Sequence, residues 1–216
     1  MKALSKAVAI ASLVSAGALT TQAAQAEVSF NAALVTDYVF RGFSYSDNGP
    51  ALQGGVDFAH ESGLYVGTWL SNVDDGTDTD VEYDVYVGYG MEANGLEIDL
   101  GYTTYNFIDA GADTAEVYAN VTKGAITASI YHDIDAYKTT HLGLAHSSEL
   151  PNDLALDLSA GYLLDNDDIY GDDVIDLGAT VSKTIDRFDV GVTVTYVDYE
   201  FTDDDVLFYL SASTEF

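Results

Sequence analysis

The chain has 216 residues and no cysteine, and its 36 acidic side chains outnumber 7 basic ones for a formal net charge of −29. Such an excess of carboxylate repels nucleic acid, whose phosphates are bound through clustered Lys and Arg. The lack of cysteine means that no disulfide holds the fold, even if the chain matures in an oxidising compartment.

The first 26 residues, MKALSKAVAIASLVSAGALTTQAAQA, place Lys2 and Lys6 ahead of an apolar run at 7–19 and end in Ala24-Gln25-Ala26. These are the three parts of a secretory signal peptide, and the run is too short to span a bilayer as a helix. The predicted organisation is therefore a signal peptide at 1–26 and one domain at 27–216. No later stretch approaches the roughly 20 apolar residues of a membrane helix.

From residue 27 onward the dominant signal is alternation of period two, which reads as strand. It predicts about twelve segments: roughly 28–44, 51–60, 64–73, 81–91, 96–107, 114–123, 125–133, 138–147, 153–164, 173–183, 188–201 and 205–216. In VEYDVYVGYGM, Val81, Tyr83, Val85, Val87, Tyr89 and Met91 share one face, and Glu82, Asp84, Tyr86, Gly88 and Gly90 the other. The segments at 64–73 and 138–147 have no clearly polar face. The connections alternate in character: HESG, EANG, TKG, SSELPN and KTIDR are compact, while YSDNGP, DDGTDTD, IDAGADT, DIDAY, DNDDIYGDD and TDDD are nearly all dominated by Asp. An up-and-down meander sends these two sets to opposite ends, one acidic, the other holding Lys123, Lys183 and Arg187.

Alternation alone leaves two readings, an apolar face turned into a soluble core or out into lipid. The even strand count, the short and long connections and the spacing of about 16 residues per strand and turn favour a transmembrane up-and-down antiparallel β-barrel of about 12 strands. So do Tyr38, Phe40, Phe58, Tyr83, Tyr89, Tyr102, Tyr162, Phe188, Tyr196, Phe208 and Phe216, expected on the outer face, several near strand ends where an aromatic girdle sits. The closing stretch VLFYLSASTEF alternates through Phe208 and Leu210 to a terminal Phe216 and resembles the signal by which outer-membrane barrels are recognised for assembly.

Residues 31–74 carry a more specific resemblance. Thr36 to Gly42 (TDYVFRG), GPALQGG at 49–55 and ESGLYVGTW at 61–69 resemble the opening of the proteobacterial TorF-family porins, also catalogued as Gcw_chp; the rest of the chain fits by pattern and length. The resemblance implies an outer-membrane barrel with a porin role and brings no catalytic residues.

By parity, the lumen is expected to display Asp37, Arg41, Asp57, Glu82, Asp84, Glu97, Asp99, Glu116, Asp157, Asp176, Asp189 and Glu215. Arg41 is the one basic residue of that set. It reads either as part of a cation-selective constriction, because rings of carboxylate attract cations, or as a bridge between carboxylates that closes a narrow lumen. The loop DNDDIYGDD fails the EF-hand pattern, since Ile169 and Tyr170 stand where a ligand and Gly are needed; no dedicated metal site and no cofactor are expected, and loose cation binding in the acidic loops remains open. His60, His132, His141 and His146 show no catalytic spacing, and His141 and His146, five apart, face opposite sides of a strand, so no enzyme activity is expected. Gly42, Gly54, Gly55, Gly67, Gly88 and Gly90 read as sites of curvature or tight packing.

The function expected is passive diffusion of small hydrophilic solutes, cations preferred, through a monomeric outer-membrane barrel. The alternative is a closed structural or adhesion barrel acting through its acidic loops. Expected partners are outer-membrane lipid and lipopolysaccharide, the barrel assembly machinery, and small solutes or cations.

Overall fold

A computed structural model describes residues 27–74, 79–108, 113–165, 170–198 and 205–216. The predicted signal peptide and parts of four acidic connections lie outside the described residues. The strands are β1 (Glu27–Val35), β2 (Val39–Phe40), β3 (Phe43–Ser44), β4 (Ala51–Ala59), β5 (Leu64–Asp74), β6 (Thr79–Ala93), β7 (Leu96–Phe107), β8 (Thr114–Lys123), β9 (Ile126–Asp133), β10 (Thr140–Leu150), β11 (Leu154–Leu164), β12 (Val174–Ile185), β13 (Phe188–Asp198) and β14 (Asp205–Glu215). Twelve of them, all but β2 and β3, form one closed barrel in which each strand pairs antiparallel with its neighbours, and β1 closes on β14.

The direction of the apolar face decides between the two readings left open by the sequence. Val81, Tyr83, Val85, Val87, Tyr89 and Met91 of β6 alternate with a largely buried inner row, and every residue of that outward set except Val81 is exposed. The same holds for Leu142 and Leu144 of β10 and Val206, Phe208 and Leu210 of β14. An apolar exterior around a ring without sheet edges is the solution lipid demands, since every backbone N–H and C=O must be satisfied within the structure. The barrel is transmembrane, and the soluble version with an inward apolar face is excluded.

Polarity along the axis follows the connections. The turns at 60–63, 94–95, 124–125, 151–153 and 186–187 lie at one end, hereafter the turn end, with Lys123 and Arg187. The acidic connections occupy the other, the loop end.

One predicted segment does not survive as a single strand. The alternation at 28–44 breaks after Val35, and the connection from β1 to β4 folds into a small hairpin, β2 and β3, separate from the barrel sheet. Its two-residue turn is Arg41-Gly42, with φ of 50° and 87°, the type I′ geometry that suits the twist of a tight hairpin. Gly42 serves twice, because a Cβ there would also sit 2.7 Å from the Cβ of Val197 on β13. Tyr38 and Phe40, expected on the outer face, belong to this hairpin and point into the barrel.

Candidate functional site: a plugged lumen

The hairpin crosses the lumen and touches the wall on every side. Tyr38 stands edge-on to Trp69 of β5, with ring centroids 5.4 Å apart, and Phe40 meets Tyr105 of β7 at 5.9 Å. Val39 packs with Leu207 and Tyr209 of β14, and Phe43 joins Leu163, Val174 and Val197 of β11, β12 and β13. This explains why β5 has no polar face in sequence: Trp69 and Val73 point inward to receive the hairpin.

Arg41, at the tip, reaches β8. Its two terminal nitrogens donate to the two carboxylate oxygens of Glu116 at 2.7 and 2.9 Å, a bidentate pair of the strong, geometrically specific kind. The guanidinium lies 4.6 Å from the centroid of Phe40 and 5.2 Å from that of Tyr131, and the Tyr105 hydroxyl also donates to Glu116, at 2.9 Å. Burial works against the charge on Arg41, but the Glu116 carboxylate outweighs it and holds the guanidinium pKa above its ordinary value. Arg41 is therefore cationic at any pH the protein meets.

The inward-facing acids divide into three groups. Around the hairpin, Asp37 accepts from the Ser44 hydroxyl at 2.6 Å and the Ser46 hydroxyl at 3.1 Å, while Glu82 and Asp84 on β6 are buried. Along β4 to β8, Asp57 accepts from Tyr86 and, at 3.2 Å, from Asn31; Asp99 accepts from Tyr65 at 2.7 Å and Asn120 at 3.3 Å. The Tyr118 hydroxyl lies 2.7 Å from that of Tyr65, so with Tyr65 donating to Asp99, Tyr118 donates to Tyr65. Towards the turn end, Glu97 and Glu215 are exposed, Asp157 is half-buried, and Asp189 accepts from Thr184 at 2.6 Å.

The structure places these acids on the inner side of the barrel, and of the set grouped by parity it brings Arg41 and Glu116 together. Three features lie beyond it: the hairpin, the tyrosine network, and a pair formed by His141 of β10 and Asp176 of β12, 2.8 Å apart. That pair spans the intervening β11 at Gly161, where a Cβ would collide with both side chains. His141 and Asp176 are separated by 35 positions, and a contact between strands two apart, made over a glycine of the strand between them, leaves no spacing signal.

On the outer face, Phe208, Leu210 and Phe216 are 72%, 53% and 72% exposed. Phe216 exchanges backbone hydrogen bonds with Phe30 at 2.8 and 2.9 Å across the closing seam, and the two rings stack with centroids 6.2 Å apart. Among the described residues, no three His, Cys, Asp or Glu side chains gather as a metal cage.

The class defined by these features is a twelve-stranded lipid-facing barrel with an acidic lumen and an inward plug. The chain belongs to a family described as "Bacterial protein of unknown function (Gcw_chp)", whose model matches residues 20–208. No curated protein sequence matches it. Among solved structures, the fold is similar to that of the KdgM porin (9% identity, TM-score 0.63, covering 87% of this chain and 99% of that one). It is also similar to a structure titled "KdgM porin in complex with disordered oligogalacturonate" (8%, 0.60, 88% and 98%) and to the NanC porin (11%, 0.54, 88% and 98%). At such identities the likeness is one of fold.

Proposed function

We propose that this protein is a monomeric outer-membrane porin-like channel for small hydrophilic solutes, with cations preferred, as the name TorF-family porin would have it. The observation that carries the reading is an inner surface whose acids outnumber one Arg, set in a wall that presents apolar side chains to lipid. Its fold likeness to porins supports this, and so does the sequence of the predicted signal peptide. Arg41 and the hairpin form the constriction; the pore-lining acids are Asp37, Asp57, Glu82, Asp84, Glu97, Asp99, Glu116, Asp157, Asp176 and Asp189. Phe208, Leu210 and Phe216 act as the assembly signal read by the barrel machinery, and the acidic loops face lipopolysaccharide.

The test is single-channel conductance of the refolded protein in a planar bilayer under a KCl gradient, with Arg41→Ala alongside. Stable steps with a cation-selective reversal potential support the channel, and a larger conductance in the variant supports the hairpin as constriction. Carboxylates lose their charge as pH falls through about 4, whereas Arg41 stays cationic. Cation preference should therefore fall between pH 7 and pH 3, and unchanged selectivity would remove the acids as its source.

A second reading draws on the hairpin itself. Contacts running from β5 round to β14 favour a lumen that stays shut, with function residing in the acidic loops. A correctly folded barrel that remains silent in the bilayer would select it.

A further inference from the structure

Solvent reaches different depths on the two walls of the lumen. Beneath the hairpin on β5, β6 and β8, Tyr65, Tyr86 and Tyr118 are 5%, 5% and 6% exposed, and their hydroxyls are engaged by Asp99, Asp57 and one another. That side is filled from the hairpin towards the turn end. On β10 and β11, the inner residues Glu149, Ser147 and Ser159 are exposed. Ser159 is the central residue of β11, and its partners across the two ladders are small, Ala145 on β10 and Gly178 on β12. Water therefore enters from the turn end along this wall and reaches the middle of the membrane.

It stops one step further on. The next inner position of β11 towards the loop end is Gly161, which is buried, and His141 and Asp176 close over it through their 2.8 Å contact. Behind this polar layer stands an apolar one. Phe43 of the hairpin packs on Leu163, Val174 and Val197 and stacks on Tyr170, with ring centroids 5.7 Å apart. The hairpin turn touches both layers, because a Cβ at Gly42 would lie 2.7 Å from the Cβ of Val197 and 3.4 Å from that of Asp176.

We propose that this two-layer septum, the His141–Asp176 bridge and the Phe43 cluster, is the gate of the barrel. The proposal rests on the channel reading and places its barrier on β10–β13, where the described residues between the chamber over Ser159 and the loop end are fewest. An apolar layer closes a pore by excluding water and needs no charge to do so. Loosening the hairpin towards β5 would expose only packed tyrosines, whereas loosening it at Phe43 would join the chamber to the loop end. Arg41, paired with Glu116 on β8, anchors the hairpin while its Phe43 side moves. His141 is a positioning residue, holding Asp176 across Gly161 beneath the turn.

The chain has no cysteine, so a single introduced thiol reports on one position. In the refolded barrel, Ser159→Cys should react with the water-soluble thiol reagent MTSET, and Thr103→Cys, whose parent side chain is 1% exposed, should stay unreacted. In a planar bilayer under KCl, Phe43→Ala/His141→Ala should raise single-channel conductance about twofold or more as the septum opens, with a smaller rise in each single variant. Trp69→Ala removes a larger ring against the same hairpin on β5 and should leave conductance unchanged, since the Tyr86 ring lies over Gly67, the next inner position of that strand. Heat-modifiable gel mobility identifies the folded variants. An unreactive Ser159→Cys overturns the chamber. A folded double variant that behaves as the wild type, or a Trp69→Ala barrel that conducts as well as the double variant, overturns the septum. A silent wild type with a conducting double variant would instead sink the channel reading of the resting protein and leave the septum standing.

Discussion

On the β5–β8 side of the barrel, three tyrosine rings lie across glycines directly opposite them in the ladder: Tyr65 over Gly88, Tyr86 over Gly67 and Tyr118 over Gly101. On the β9–β14 side the same cross-strand places pair Ser129 with Gly143, Ser159 with Gly178 and Ser211 with Gly191. Both walls use glycine to let a neighbour lean over the backbone, yet the outcomes differ. The tyrosines are buried and joined by hydrogen bonds to Asp57 and Asp99, whereas of the three serines Ser159 is exposed inside the barrel, Ser129 half-buried and Ser211 buried. One wall fills the space over its glycines with tyrosine rings, and the other sets only small hydroxyls there, leaving room around Ser159. Strand parity sets which residues face inward; residue size sets whether the inside stays open.

The contrast predicts where substitutions hurt. Arg41→Ala strikes the filled side hardest, because it strands Glu116 as a buried charge; a loss of about 3–5 kcal/mol is expected, read from urea unfolding in phospholipid vesicles. Next comes Gly88→Ala, whose methyl would displace the Tyr65 ring and its hydrogen bonds, at about 1–3 kcal/mol as for other overpacked sites. Tyr118→Phe, which removes one hydroxyl contact, should cost about 1 kcal/mol. Gly178→Ala on the serine wall should stay within about 0.5 kcal/mol of neutral, since the Ser159 hydroxyl can swing into open space. A Gly178→Ala variant as damaged as Gly88→Ala would erase the distinction between the walls.

The parts of the molecule differ in how plainly they can be read from sequence. Twelve barrel strands and their outward rows were legible because lipid on one side and polar groups on the other enforce period two at almost every position. The hairpin was hidden by the same rule: Val39, Phe40, Phe43 and Ser44 continue the texture of a strand, and of the two turn positions at positive φ only the second is a glycine, the first being Arg41 where glycine or asparagine would have marked the turn. Tyr38 and Phe40 were consequently assigned to lipid. The pairing of Arg41 with a carboxylate was legible from its isolation among acids, but the choice of Glu116 was not, because it depends on how far a plug reaches across a barrel. The His141–Asp176 pair required knowing that Gly161 stands between them.

The root of the hairpin is fastened to the last strand. The Thr36 N–H donates to the Leu210 carbonyl at 2.9 Å, the Leu210 N–H donates to the Thr36 hydroxyl at 2.9 Å, and Val39 packs on Leu207 and Tyr209. Closure of the wall and seating of the hairpin therefore share one strand: without β14 paired to β1, the hairpin would lack the Leu207, Tyr209 and Leu210 side of its seat.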